Sequence, residues 1–307
     1  MLTFDVDDFI NDRSTVALNR ILELLQKHDL VALFFITGHV AERLENFPTT
    51  LDSLESQEIG YHSSSHSVRP TIFEYCDVDD YEKAYKLSLQ RENAHINPLT
   101  GDVEGPGGIS FLRNLFPRKK VVCFRAPGLC WTPPNLEALA TLGIKFDFSA
   151  FISSKPVFHK GITFYPYPLF LRPNRWLTPK ILRNSILRGF TVVTFHSSAF
   201  ANKISWDSIY YRGNPKRLSG VPSLSNEEKK FALREFETLL KQLRILQGSG
   251  LIEIAWRTER ASTGMEKGKM DIELCYKKSV EWALTYFNFR PKLIHYQFLK
   301  YFRSKIC

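Results

Sequence analysis

Short apolar runs that alternate with helical segments constrain the fold of the first half of the chain. Residues 2–6 and 30–36 are apolar and strand-like, and a continuous apolar run is typical of a strand buried in a parallel sheet. Between them, residues 15–28 place apolar side chains three and four positions apart, which predicts a helix. Another short strand is predicted at 58–61. This alternation indicates an α/β fold with a parallel sheet.

The remaining pattern extends this prediction to about residue 250. We expect further helices at 39–46, 79–94, 134–142 and 226–247, and further strands at 121–124, 144–148 and 190–195. The Gly and Pro residues within 101–108 predict a loop or insertion. We therefore predict one domain over residues 1–250 and a basic, aromatic extension, packed on that domain, over 251–307.

Acidic side chains follow the first predicted strand, in Asp5-Val6-Asp7-Asp8. Functional residues of parallel α/β domains collect at the carboxyl ends of strands. Asp5 and Asp7 point to the same side if the strand continues, because side chains alternate along a strand. Three carboxylates this close repel one another, and a cation would relieve the repulsion. The ordinary alternative is a solvated acidic turn that caps the next helix.

Two histidines follow the strand at 58–61, in His62-Ser-Ser-Ser-His66. On a helical turn, positions four apart share one face, so both imidazoles could bind one metal ion. Paired surface histidines are a common alternative. Two imidazoles and one carboxylate make a site with open positions, and a second carboxylate beside it is a natural general base.

Two more polar residues end predicted strands. His196 follows Val192-Val193-Thr194-Phe195 and is a candidate for protonating a leaving amine, although a histidine at a strand end is often structural. Arg125 follows the strand at 121–124, and without further context it reads as a surface arginine.

These segments, in this order, resemble the NodB-homology polysaccharide deacetylases, which are carbohydrate esterase family four (CE4). The resemblance covers roughly residues 2–200. The motifs that carry it are Thr3-Phe4-Asp5-Val6-Asp7, Ala32 to Gly38, Ile59 to His66, Phe124-Arg125-Ala126-Pro127-Gly128, Asp147-Phe148-Ser149 and Val193-Thr194-Phe195-His196.

The resemblance implies a distorted (β/α) barrel with fewer than eight strands, here with a C-terminal helical extension. It also implies a divalent metal ion, most simply Zn, with Fe, Co and Ni as alternatives. The roles that it implies are base for Asp5, metal ligands for Asp7, His62 and His66, support of the base for Arg125, acid for His196 and support of that acid for Asp147.

The first motif departs from the usual family pattern, because it lacks a glycine and adds Asp8 as a rival ligand to Asp7. Its acid-x-acid form is typical of branches that include deformylases of lipid-linked amino sugars and hydrolases of cyclic amides or ureides. We expect an N-acetylated amino sugar as substrate, in a bacterial surface polysaccharide such as lipopolysaccharide O-antigen or capsule, or in its precursor. An inactive carbohydrate-binding module is the non-enzymatic alternative.

Composition bears on location and partners. The formal net charge is +9, and residues 265–307, with nine Lys or Arg and four Asp or Glu, carry +5 of it. Aromatic side chains are interleaved there, which predicts peripheral contact with an anionic membrane, or else a helix packed on the barrel. No nucleic-acid-binding motif accompanies the basic charge. The five cysteines lack metal-ligand spacing, and no secretory signal is visible, so we expect a cytoplasmic protein, acting at the inner face of the membrane if the tail binds there.

Overall fold

The computed structural model describes residues 1–66, 80–151, 156–159, 161–166, 168–171, 191–206, 220–250, 253–254 and 278. Its strands are β1 (Leu2–Val6), β2 (Leu33–Ile36), β3 (Glu58–Tyr61), β4 (Ala94–Ile96), β5 (Val103–Pro106), β6 (Cys123–Phe124), β7 (Phe146–Asp147), β8 (Val157–His159), β9 (Ile162–Phe164), β10 (Leu169–Phe170) and β11 (Val193–His196). Its helices are α1 (Asp12–Lys27), α2 (Gly38–Leu44), α3 (Pro48–Leu54), α4 (Tyr81–Glu92), α5 (Gly108–Leu115), α6 (Pro133–Thr141) and α7 (Asn226–Gly248).

Nine strands form one sheet in the order β10-β11-β1-β2-β3-β6-β7-β9-β8. Neighbours in this sheet are parallel, except for the antiparallel pair of β8 and β9. The sheet curls into a half-barrel, with helices in the crossovers between strands. The predicted α/β class and barrel-like fold are therefore confirmed.

The number of strands differs from the expectation of fewer than eight. The sheet has nine, because β8, β9 and β10 add short strands that the sequence pattern did not indicate. Three strands, β6, β7 and β10, contain only two residues each. Of these, β6 and β7 lie within the strands predicted at 121–124 and 144–148, while β10 is too short to show the period of two by which strands are recognised.

The stretch between β3 and β6 also differs from the prediction. We expected a loop over 101–108, but Val103–Pro106 forms β5 and pairs antiparallel with β4. The Gly and Pro residues there led to the prediction of a loop, because both are depleted in strand interiors. Helix α4, in the same stretch, lies within the predicted range of 79–94. The short helix α3, which precedes β3, was not predicted.

Alternation of side chains along the central strands separates two apolar layers. Phe4 and Phe34 stack with ring centroids 4.9 Å apart, and Phe236 of α7 meets Phe4 edge-on at 5.8 Å. Phe35 points to the opposite face, where its ring lies 5.3 Å from that of Phe148. Asp5 is on the Phe35 side, so the inner face of the half-barrel carries the polar site.

Helix α7 closes the described part of the domain. It begins with a capping box in which Ser225 and Glu228 each accept a hydrogen bond from the other residue's backbone N–H. Apart from 253–254 and 278, the predicted extension over 251–307 lies outside the described residues, so the boundary at 250 stays a prediction. None of the described helices combines the length and the hydropathy that a membrane span requires.

Candidate metal centre and catalytic site

The ends of β1 and β11 bring an acid and an imidazole together. Asp5 lies opposite His196 in the parallel register of these two strands. The Asp5 side chain is 2 % exposed, while that of His196 is 37 % exposed, and their Oδ2 and Nε2 atoms are 3.8 Å apart. Parallel strands end at one edge of a sheet, which is why residues 191 positions apart meet here. Asp5 is thus held inside the site, and His196 lies at its mouth.

Arg125 fixes the orientation of the Asp5 carboxylate. Its Nη1 donates to Asp5 Oδ1 at 2.6 Å, and its Nη2 donates to Thr3 Oγ1 at 3.0 Å. The guanidinium lies over the Phe35 ring at 4.2 Å from the centroid, a favourable cation–π position. Arg125 is completely buried, so the sequence-based alternative of a surface arginine is wrong.

The charge on Asp5 follows from this pair. Burial opposes ionisation of Asp5, but the positive charge of Arg125, together with His62 and His196, outweighs burial and lowers the pKa of Asp5 below its ordinary value. The carboxylate is therefore ionised at neutral pH, as a general base must be.

Asp7, His62 and His66 converge on one point. They form a cluster in which one potential ligand atom from each residue lies within 4.8 Å of the others, and all three residues are buried. His66 Nε2 is 3.4 Å from Asp7 Oδ2, and the two imidazole centroids are 5.0 Å apart. Two imidazoles and a carboxylate suit a first-row divalent metal such as zinc. The residues predicted as ligands are thus brought together.

The histidines reach this geometry without a helix. Residues 62–66 follow β3 as an irregular loop, in which Ser63 (φ 65°) and His66 (φ 50°) have left-handed backbone conformations. The expected helical turn is wrong. The rings nevertheless converge, with their centroids 5.0 Å apart.

The neighbours of the His62 ring show which of its two nitrogens carries the proton. Nδ1 lies 2.7 Å from the carbonyl oxygen of Arg125, so Nδ1 carries the proton and donates. Nε2 is then the atom with a free electron pair, and metal-binding histidines are commonly oriented by such a hydrogen bond. Burial lowers the pKa of His62 to about 4 and that of His66 well below its ordinary value. Both rings are therefore neutral near pH 7, which is the form that binds metal.

Asp8, the rival ligand, has another role in the fold. Its oxygens accept from the backbone N–H groups of Ile10 and Asn11, from the Asn11 amide, from the Ser14 hydroxyl and from the Asn202 amide. These donors occupy both carboxylate oxygens. Asp8 therefore ties the loop after β1 to the segment after β11. It is buried, so the alternative of a solvated acidic turn is wrong, and it is absent from the cluster of Asp7 with the two histidines.

Asp147 lies at the end of β7 and accepts hydrogen bonds from Ser149, two residues further along the chain. Ser149 donates to it twice, from its backbone N–H at 2.8 Å and from its hydroxyl at 3.0 Å. The same hydroxyl accepts from the backbone N–H of Ala126 at 2.6 Å. Burial raises the pKa of Asp147 to about 7, although these bonds and the charge of Arg125 act in the opposite direction. Its contacts thus support the Arg125-Ala126 segment; none of those described joins it to His196.

Two residues of the site were not expected from the sequence. Trp206 is fully buried with its ring centroid 5.4 Å from that of His66. Glu92, at the end of α4, is fully buried against the loop of the two histidines. Neither stands in a recognisable motif, and only their types, a tryptophan and a carboxylate near helical apolar positions, could have drawn attention to them.

The first third of the chain matches a known protein family. A family model described as "Polysaccharide deacetylase" matches residues 1–104. No curated protein sequence matches the chain.

Several solved structures are similar at low identity. A CE4 family pseudoenzyme from Bacillus anthracis is 16 % identical, with 65 % of this chain and 56 % of that one aligned and a TM-score of 0.35. A candidate polysaccharide deacetylase involved in O-antigen biosynthesis from Bordetella bronchiseptica is 17 % identical over 77 % and 88 % of the two chains, with a TM-score of 0.38. A peptidoglycan deacetylase from Bacillus subtilis is 15 % identical over 80 % and 82 %, with a TM-score of 0.37.

The matched residues 1–104 contain β1 to β3 and therefore Asp5, Asp7, His62 and His66. The resemblance to polysaccharide deacetylases that the motifs indicated is thus confirmed over residues 1–104, while the motifs at 124–128, 147–149 and 193–196 lie outside the matched residues.

Proposed function

We propose that this protein is a metal-dependent hydrolase that removes the N-acetyl group of an amino sugar, in a bacterial surface polysaccharide or its precursor. The observation that carries the proposal is the pairing of two buried units. One is the Asp7, His62 and His66 cluster, and the other is Asp5, held by Arg125 and facing His196. The family's description names deacetylation of a polysaccharide; the amino sugar and the bacterial surface polysaccharide belong to the proposal.

Asp7, His62 and His66 would hold the divalent ion, for which we favour Zn over Fe, Co or Ni. When bound, such an ion polarises the acyl carbonyl and makes water a stronger nucleophile near neutral pH. Asp5 takes the proton of the attacking water, and its ionised, oriented carboxylate suits that task. His196, exposed at the mouth of the site, delivers a proton to the nitrogen of the departing amine.

Two other groups prepare these side chains. Arg125 restricts the Asp5 carboxylate to one orientation, since it bonds Asp5 and Thr3 at the same time. Asp147 and Ser149 fix the backbone of Ala126 beside Arg125. Holding reacting groups in place in this way removes part of the entropic cost of the reaction.

The experiment is product analysis by mass spectrometry. Protein loaded with Zn²⁺ is offered N-acetylated nucleotide sugars, lipid-linked sugars and glycans, with N-formylated sugars and cyclic amides in parallel. We expect loss of acetyl from an amino sugar, and we expect Asp5→Asn to abolish it at unchanged metal content. Loss of formyl only, or opening of a cyclic amide only, would instead favour the deformylase or the cyclic-amide hydrolase.

A carbohydrate-binding protein without activity is the remaining alternative. It predicts glycan binding with no product from any substrate, in the wild type as in Asp5→Asn. The ionised Asp5 beside an intact ligand cluster speaks against this alternative, because a binding module needs neither group.

Peripheral membrane contact through residues 265–307 stays a proposal, since this segment, apart from residue 278, lies outside the described residues. Pelleting of the full chain with anionic liposomes, compared with a chain ending at residue 264, tests it. Equal pelleting of the two chains would remove the membrane contact and leave the hydrolase proposal unaffected.

A further inference from the structure

The carboxylate of Glu92 gathers donors from the loop that carries the two histidines. It accepts from Tyr61 OH at 2.7 Å, from Ser63 Oγ at 3.1 and 3.2 Å and from Asn135 Nδ2 at 3.2 Å. The backbone of Ser64 bonds to it as well. Glu92 is fully buried, and within the described residues no Lys, Arg or His forms an ion pair with it.

The contacts of Glu92 offset part of the cost of burying its carboxyl group. Burial raises the pKa of Glu92, while every hydrogen bond that it receives acts in the opposite direction. The hydroxyls of Tyr61 and Ser63, the Asn135 amide and the backbone of Ser64 together bond both carboxyl oxygens of Glu92. Gln would place an amide N–H where one of these oxygens now lies, so the arrangement suits Glu at this position.

The loop that Glu92 holds has an unfavourable backbone. Ser63 and His66 both have positive φ angles, which non-glycine residues maintain only when surrounding contacts hold them. Ser63 is the residue directly after the ligand candidate His62, and its hydroxyl reaches both oxygens of Glu92. Glu92 therefore acts on the backbone between the two histidines.

Other contacts hold the outer side of the same loop. Gly38 N–H and His39 N–H at the start of α2 donate to the carbonyl oxygens of Ser63 and Ser64, at 3.0 and 3.1 Å. The hydroxyl of Ser64 donates to the Ala94 carbonyl at 2.5 Å. These bonds fix the loop from α2 and β4, whereas Glu92 is the contact that brings in α4 and, through Asn135, α6.

We propose that Glu92 is a positioning residue of the metal centre, which sets the separation of His62 and His66 by holding Ser63 and Ser64. This inference rests on the proposed function for the presence of a metal at Asp7, His62 and His66. The hydrogen bonds described for Glu92 go to Tyr61, Ser63, Ser64 and Asn135, so it acts through the loop.

The test is metal binding by Glu92→Gln, measured by competition with a chromophoric chelator for Zn²⁺ and by the visible spectrum of the Co²⁺ form. Gln keeps the size of the side chain but replaces one acceptor oxygen with a donor. Losing a partner outside the ligand sphere typically weakens metal binding about 10–100-fold. We expect a loss on the order of tenfold in Zn²⁺ affinity and an altered Co²⁺ spectrum.

Two further variants separate positioning from general destabilisation. Glu137→Gln removes another carboxylate between α4 and α6, which accepts from Tyr81 OH at 2.6 Å, and it should leave zinc affinity and the Co²⁺ spectrum unchanged. Ser63→Ala removes the key donor while Glu92 and α4 stay intact, and it should reproduce the effect of Glu92→Gln even if that variant folds poorly.

The outcomes distinguish this inference from the proposed function. Wild-type zinc affinity and Co²⁺ spectrum in both Glu92→Gln and Ser63→Ala would overturn the positioning role and leave the hydrolase intact. Weakened binding in both variants, with no activity in the wild type, would support positioning and contradict the proposed function. A wild-type protein that binds neither Zn²⁺ nor Co²⁺ would overturn both.

Discussion

Arg125 Nη1 lies 2.6 Å from Asp5 Oδ1, in a contact that joins two fully or almost fully buried charges across the inner face of the sheet. The other oxygen of Asp5 faces His196 at 3.8 Å. One oxygen of the carboxylate is thus occupied by the guanidinium and the other remains directed into the site. This division allows Asp5 to be held and to accept a proton at the same time.

Arg125→Lys should keep the positive charge but lose the fork that bonds Asp5 and Thr3 together. Lysine presents a point charge on a flexible chain, so Asp5 loses its fixed orientation. We expect kcat to fall about 10–100-fold with metal content retained. Steady-state kinetics check this, with Arg113→Lys as control, because Arg113 bonds only the Val121 carbonyl among its described contacts. Unchanged kcat in Arg125→Lys would contradict the role given to Arg125.

Asp7→Ala and Asp8→Ala should separate metal binding from stability. Asp7→Ala should lose zinc, since it removes one of three ligands. Asp8→Ala should retain zinc but lower the free energy of unfolding by a few kcal/mol, because buried donors of Asn11, Ser14 and Asn202 lose their acceptor. Metal analysis and urea unfolding measure the two effects. Zinc loss in Asp8→Ala with retention in Asp7→Ala would reverse the ligand assignment.

Asp147 predicts a pH dependence of stability. Burial raises its pKa to about 7 in the folded protein, whereas an unfolded Asp titrates near its ordinary value of about 3.9. Between these values the folded state holds a proton that the unfolded state has lost. The stability contributed by protonated Asp147 is therefore complete below about pH 4 and is lost as the pH rises through about 7.

Asp147→Asn removes this loss, since Asn does not titrate. The free energy of unfolding of the variant, minus that of the wild type, should become more positive from pH 4 to pH 7.5, by on the order of a few kcal/mol. Urea unfolding of both proteins at several pH values checks this prediction. A difference that does not vary with pH would show that Asp147 is ionised throughout this range.

His196→Ala should slow hydrolysis most for substrates whose leaving group departs poorly without a proton. An N-acetyl amine must be protonated as it leaves, while an aryl acetate releases a stable phenolate without help. General acid catalysis typically contributes about 10²–10⁴-fold, so we expect a loss of this size for the amide and a small one for the ester. Parallel assays with an N-acetyl sugar and 4-nitrophenyl acetate measure it, and equal losses on both would contradict an acid role.

The strand ends were the part of the site that the sequence could predict. Asp5, His62, Arg125 and His196 each follow an apolar run, and parallel strands bring such ends to one edge. The family resemblance gave Asp7 as the ligand, but Asp8 stayed a rival on the residues alone, because the two are adjacent and chemically identical. The difference lies in partners that are distant in sequence, such as Asn202.

The loop of the histidines and its support could not be predicted from the sequence. A spacing of four residues suits a helix, but His62 and His66 lie on a loop with two positive φ angles, which tertiary contacts maintain. Glu92 belongs to α4, whose boundaries were predicted closely, yet nothing in the sequence of a helix end indicates that its carboxylate will turn toward Ser63. The two-residue strand β10 escaped prediction because it is defined by pairing with β11 rather than by its own pattern.

The central claim is that Asp7, His62 and His66 bind one divalent ion while Asp5 stays free to take a proton. X-ray diffraction from zinc-soaked crystals, recorded on both sides of the zinc absorption edge, tests it most directly. We predict a single anomalous peak about 2.0–2.2 Å from a carboxylate oxygen of Asp7 and from one nitrogen of each histidine, with Asp5 still bonded to Arg125. A peak bound by Asp8, a peak with Asp5 as a ligand, or no peak between the two imidazoles would contradict the account.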